Sequence, residues 1–146
     1  MVKRVGIHKR GEISLDDIIQ TVRKNPRIKE AGAISCFIGI VRGRSKGTKV
    51  NKLYFEAYKE QAEKSLAKIS SDLMKKPGIV DVLIHHMTGT LKVGENIVFV
   101  VVAGKSRKDV FPVVAEAVER LKREAPIWKK EYTEKNSHWV SGKIDL

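Results

Sequence analysis

The segment Leu121-Lys122-Arg123-Glu124-Ala125-Pro126-Ile127-Trp128-Lys129-Lys130-Glu131 sets two lysines on either side of a proline, with a tryptophan beside the second. Lysine ammonium groups hold anions and neutralise charge that develops on oxygen during a reaction. Pro126 lacks an N–H and biases Ala125 away from α geometry, so the helix that runs into Lys122 is predicted to stop there. Residues 127–132 then restart as an extended, amphipathic segment. Two ammonium groups brought in by different elements can converge on one anionic group, which two lysines on one straight helix do less well. Lys122 and Lys129 are therefore the candidate catalytic residues.

Two arginines fit the same chemistry. Arg42 stands where an apolar run emerges into a glycine-bearing loop, a good place for a planar fork to a phosphate. Arg107 stands just before or at a helix start, where backbone N–H groups and the helix dipole favour anions. Taken singly, each of these four reads equally well as a solvated charge. Their number at element ends is what points to an anion site.

Other chemistries find no foothold. Residues 39–47 contain glycines but neither a Walker spacing nor GxGxxG, and no serine elbow is present. One Cys and four scattered His give no metal-ligand spacing. His85 and His86 are neighbours in a predicted strand, so they point to opposite faces and cannot share an ion. Cys36 lies in an apolar run and is predicted to be a buried, inert thiol. No resident cofactor and no metal are expected.

The formal net charge of +12 suits an anionic small substrate, an acidic protein partner or nucleic acid. A Lys/Glu-rich surface of the heat-adapted kind would give the same charge, and Gln is scarce here. Charge alone does not choose. At 146 residues with 42% hydrophobic content, the chain is predicted to form one domain over residues 1–146 with a proper core. No apolar run approaches the roughly 18 residues that span a membrane, and the first residues lack a signal peptide's apolar core. A cytoplasmic location is expected.

Periodicity orders the elements. Residues 2–7 alternate like a short strand, and Ser14-Leu15-Asp16-Asp17 has the look of a capping box opening a helix to about Lys24. Residues 32–41 read as a buried strand, and residues 42–49, with Gly43 and Gly47, as a mobile basic loop. Residues 50–58 return to period two, with Leu53, Phe55 and Ala57 on one face. Residues 60–75 are a predicted helix, residues 79–86 a strand, and Gly89 and Gly94 bracket a tight excursion. Residues 96–103 suit a sheet centre. In the last helix Val110, Val113, Ala117 and Leu121 form a stripe; Pro112 fits a first turn, which favours Asp109 as N-cap, with Ser106 an earlier candidate. Strands alternating with three helices give an α+β fold class.

Several separated motifs occur in a telling order. They are Gly39-Ile40-Val41-Arg42, Phe55-Glu56-Ala57-Tyr58, His86-Met87-Thr88-Gly89-Thr90-Leu91 running to Gly94-Glu95, Leu121-Lys122, and Pro126-Ile127-Trp128-Lys129 with Glu131. Nearly end to end, this pattern resembles the large, catalytic subunits of molybdopterin synthase. The resemblance implies an α/β hammerhead-type fold with an additional antiparallel β subdomain. It implies transfer of sulfur from the C-terminal thiocarboxylate of a small ubiquitin-like subunit to cyclic pyranopterin monophosphate, forming the dithiolene of molybdopterin. It also implies a homodimer that binds one small subunit at each end, a heterotetramer.

Carried over by motif, Lys122 and Lys129 match the family's two active-site lysines, and Arg42 and Arg107 its substrate- or anion-binding arginines. Lys143 stands where many members have arginine, and His86 opens the family's histidine-bearing stretch; both are candidate substrate-binding residues. Ser106 replaces a common histidine and Met87 a common arginine, so an imidazole acid at the first position is not essential here unless His86, His138 or water replaces it. By this reading Lys122 binds and polarises the substrate, while Lys129 meets the incoming thiocarboxylate. Two competing classes are a basic module that binds RNA or DNA, stacking bases on Trp128, Trp139 or Tyr54, and a scaffold that binds a ubiquitin-like partner without chemistry.

Overall fold

The computed structural model describes residues 1–140, so Lys143 lies outside the described residues. Along the chain run β1 (Val5–Lys9), α1 (Leu15–Arg23), β2 (Ala33–Ile40), β3 (Arg44–Ser45), β4 (Thr48–Ala57) and α2 (Lys59–Met74). Then follow β5 (Ile79–Lys92), β6 (Asn96–Gly104), α3 (Arg107–Glu124), β7 (Ile127–Thr133) and β8 (Ser137–Trp139).

The long strand β5 joins two parts. Its first half pairs antiparallel with β6 and parallel with β1, while its second half, from Gly89 to Lys92, pairs antiparallel with β4. The sheet order is β2-β6-β5-β4-β7-β8. Helices α2 and α3 pack against β5 and β6 and against each other, whereas β4, β7 and β8 extend as an antiparallel subdomain. This is the expected α+β arrangement. The apolar run of β6 is buried along nearly its whole length because neighbours flank it and α3 covers it. Among the described residues no helix is long and apolar enough to cross a membrane.

Some local readings hold and others need correction. Ser14 caps α1, accepting from the Asp17 N–H while the Asp17 carboxylate accepts from the Ser14 N–H, a full capping box. Strand β2 is an edge rather than a buried strand: Ile38 is 42% and Ile40 51% exposed, and Cys36 lies on the same open face. An apolar run looks alike at a sheet's edge and at its centre, so burial of Cys36 could not follow from composition; partial desolvation still raises its thiol pKa. Gly89 does not open an excursion but sits inside β5 at φ +90. Helix α3 begins at Arg107 with Ser106 as N-cap, which leaves Pro112 inside the helix.

The basic loop is a hairpin. Lys46 (φ 49) and Gly47 (φ 79) form the two-residue turn between β3 and β4, as a type I′ connection requires. Gly47→Ala should therefore cost about 1 kcal/mol of stability in urea unfolding, because a Cβ disfavours this φ. No loss of stability would mean that the turn does not hold this conformation in solution.

Candidate active site

The site grows from the proline break. Helix α3 ends at Glu124, and Ala125 is extended (φ −80, ψ 132). The Tyr58 N–H donates to the Pro126 carbonyl at 3.3 Å, which docks the start of β7 against the end of β4. From there β7 alternates, with Ile127, Lys129 and Glu131 turned inward and Trp128 outward. Lys129 sits opposite Phe55 and Glu131 opposite Leu53. Lys129 and Glu131 are each only 7% exposed, and Lys129 is the sole buried lysine among the described residues.

These two side chains line a cavity of about 290 Å³ together with Arg42, Arg44 and Ser45, over an apolar floor that includes Leu53 and Ile97. An adjoining space of about 200 Å³ shares Arg42, Ser45, Lys129 and Glu131, and adds Lys46 and His138. The chain around Arg42 is tied down on both sides. The Val41 N–H donates to the Glu95 carbonyl at 3.0 Å, and the Val50 N–H donates to the Gly43 carbonyl at 2.9 Å. Four cationic residues and one carboxylate therefore line the recess, Lys129 and Glu131 buried and Arg42, Arg44 and Lys46 exposed, an arrangement suited to an anionic group.

The other candidates stand elsewhere. Lys122 is half-buried on the last turn of α3 and lines neither space. Arg107 is exposed at the opposite end of the same helix, and fifteen residues at about 1.5 Å each put it about 22 Å from Lys122 along the axis. One chain does not bring Arg107 to the cavity.

His86 needs a correction, because it is fully buried. Its Nδ1–H donates to the Met87 carbonyl at 2.6 Å, its ring meets Phe55 edge-on at 5.2 Å, and Nε2 has no partner among the described residues. Burial lowers its pKa to about 4, so it is a neutral core residue and not a substrate contact. Met87 is buried beside it, and the Ser106 hydroxyl donates to the Asp109 carboxylate at 3.1 Å at the start of α3. Neither is a general acid.

Glu131 has no role in the sequence reading beyond its place in the motif, and His138 only that of a possible replacement for the histidine missing at Ser106. The alternation of β7 alone would have put Glu131 on the face of Lys129; His138 becomes legible only with the β7–β8 register, which sets it opposite Glu131. The aromatic residues offered for base stacking, Trp128, Trp139 and Tyr54, lie on the opposite face of the β4-β7-β8 sheet, each against another aromatic ring. Tyr54 meets Trp139 edge-on at 6.3 Å, and Tyr58 meets Trp128 at 5.1 Å.

The family model described as MoaE protein matches residues 8–124. This chain belongs to the MoaE protein family. Among relatives of this MoaE-family chain is the molybdopterin synthase catalytic subunit of Pyrococcus abyssi, 41% identical over 111 residues, covering 76% of this chain and 75% of that protein. The X-ray structure of molybdopterin synthase from Staphylococcus aureus superposes with a TM-score of 0.84 at 34% identity, covering 97% of this chain and 99% of that one. A complex of subunits 1 and 2 of molybdopterin-converting factor from Helicobacter pylori shares the fold, with a TM-score of 0.75 at 22% identity and coverage of 95% and 91%. Lys129 and Glu131 lie beyond the residues matched by the family model but within the length covered by the S. aureus structure.

Proposed function

We propose that this MoaE-family chain is the catalytic subunit of a molybdopterin synthase. It moves sulfur from the C-terminal thiocarboxylate of a small ubiquitin-like subunit to cyclic pyranopterin monophosphate. The observation that carries this reading is the buried lysine, Lys129, which lines a cationic cavity together with Arg42 in a chain of this family. A thiocarboxylate tail and a pterin phosphate are both anions. An ammonium group in a recess largely closed to water attracts either far more strongly than an exposed one does.

In the mechanism proposed, Arg42 holds anionic substrate as a planar donor fork and Lys129 meets the incoming tail. Lys122, at the helix end that leads into β7, polarises the substrate or intermediate. Two thiocarboxylates are consumed per dithiolene, because the product carries two new sulfurs. Arg107 and Lys143 are kept as candidate anion contacts, with Arg107 requiring a second copy of the chain. The open face and edge of β2, with Ile38 and Ile40 exposed, support pairing between copies. The net charge of +12 suits an acidic small subunit, and the reaction is proposed to take place in the cytoplasm.

The test is to mix the chain with thiocarboxylated small subunit and the pterin substrate and follow the pterin by mass spectrometry. Gain of two sulfurs per pterin is expected. Binding of the small subunit without sulfur gain would favour a scaffold, and tight, salt-steep RNA binding without either would favour a nucleic-acid module.

A further inference from the structure

We propose that His138 is a further anion-binding residue of this cavity, one that acts when protonated and works through Glu131. Strand β8 pairs antiparallel with β7 so that His138 lies directly opposite Glu131. Its Nε2 is 3.7 Å from the Glu131 carboxylate, and its side chain lines the same space as Arg42, Lys46 and Lys129. His138 is the one histidine whose side chain lines either half of this cavity among the described residues.

Glu131 is the reason the position matters. Glu131 is buried, its side chain 10% exposed, and a buried carboxylate draws on whatever cations surround it. The cations that line the cavity with it are Lys129 from its own strand, Arg42 after β2, Arg44 on β3, Lys46 in the hairpin turn, and His138 from β8, whose Nε2 is 3.7 Å from the carboxylate. While His138 is neutral, Glu131 offsets part of the field of Lys129 and Arg42, and an anionic ligand feels the remainder. A proton on His138 answers the Glu131 charge from the solvent side and adds one positive charge to the recess. Protonation of an imidazole adds positive charge, so anion affinity should rise as pH falls. The inference rests on the proposed function only for the identity of the physiological anion.

Sulfate is the probe, because it stays dianionic at both pH values of the test and has no titration of its own to confuse the result. Isothermal titration of the full chain at about pH 5.5 and about pH 8 should give roughly fivefold to tenfold tighter sulfate binding at the lower pH. His138→Gln should bind equally weakly at both values. His138→Arg should bind tightly at both, a rescue that a merely structural histidine would not give. Retention of the wild-type slope in His138→Gln, or absence of any slope or sulfate binding in the wild type, overturns the proposal. Pterin product with a flat sulfate profile removes the role of His138 and leaves the sulfur-transfer reading standing. A His138-dependent slope without product does the reverse.

Discussion

Lys129→Ala is expected to slow single-turnover sulfur transfer by roughly 10²-fold to 10³-fold, the usual cost of removing one preorganised donor from a reacting site. The size of the effect follows from burial. Lys129 is only 7% exposed, and a lysine so buried has few waters to screen it, so its interaction with a thiocarboxylate or a developing oxyanion is worth several times what a surface lysine offers. Alanine also removes the four-carbon stem of a buried side chain, so packing must be separated from charge. Lys129→Met makes that separation: it keeps volume and apolar contact and removes only the ammonium group. Equal losses in the alanine and methionine variants, with unchanged circular dichroism, assign the effect to charge. Lys129→Arg should recover little, since a planar fork does not replace a compact ammonium. Lys122→Ala, acting from a half-buried helix end outside the cavity wall, should lose less, about tenfold. Wild-type rates in both Lys129→Ala and Lys122→Ala would remove both lysines from the mechanism.

How far the site was legible differs from residue to residue. The separation of Lys122 and Lys129 onto two elements was readable because proline acts locally: Pro126 ends α3 whatever surrounds it. That Lys129 faces inward was not readable. In β7 a lysine and its neighbour alternate across the sheet, and which side is the core depends on pairing with β4, a contact between residues more than seventy positions apart. Arg42 does follow a strand, as its apolar run predicts, but the loop after it is a hairpin. Two glycines within five positions read as freedom, whereas Gly47 supplies the φ of a tight turn and Gly43 a carbonyl that Val50 uses.

His86 shows the opposite error. It was singled out by the motif it opens, yet its surroundings are decided by β1, β4 and β6, which close over it from sequence-distant parts of the chain. Arg107 and Lys122 were grouped by charge although a straight helix of 18 residues necessarily holds its two ends apart. Local stereochemistry was therefore well encoded in short stretches. Membership of the cavity was not, because it is a property of register.

The two buried histidines should make the chain sensitive to mild acid. His85 donates its Nε2–H to the Lys3 carbonyl at 2.9 Å, which leaves Nδ1 to accept from the His8 Nε2–H at 2.8 Å; His86 donates from Nδ1 to the Met87 carbonyl. Burial lowers both pKa values from 6.5 to about 4, with the charge that His8 can carry adding to the effect at His85. In the unfolded chain each imidazole takes up a proton near 6.5, and in the folded chain neither does so until about 4. Between those values the unfolded state binds more protons, so stability is full above 6.5 and falls as pH drops toward 4. The complete effect is roughly 3 kcal/mol for each histidine, of which roughly 2 is felt by about pH 5, still above most carboxylate titrations. Against a typical total of about 5–15 kcal/mol, that is a large fraction. Urea unfolding from about pH 7.5 to about pH 5 should show the midpoint falling steeply below about pH 6.5. His86→Leu removes a ring whose Nε2 has no partner among the described residues, so it should change stability near pH 7 by no more than about 1 kcal/mol. The same variant should roughly halve the acid-induced loss, because of the two fully buried histidines only His85 then remains to be protonated on unfolding. An unchanged pH slope in His86→Leu would mean that His86 is protonated as readily in the folded chain as in the unfolded one, and that the core around Phe55 admits water.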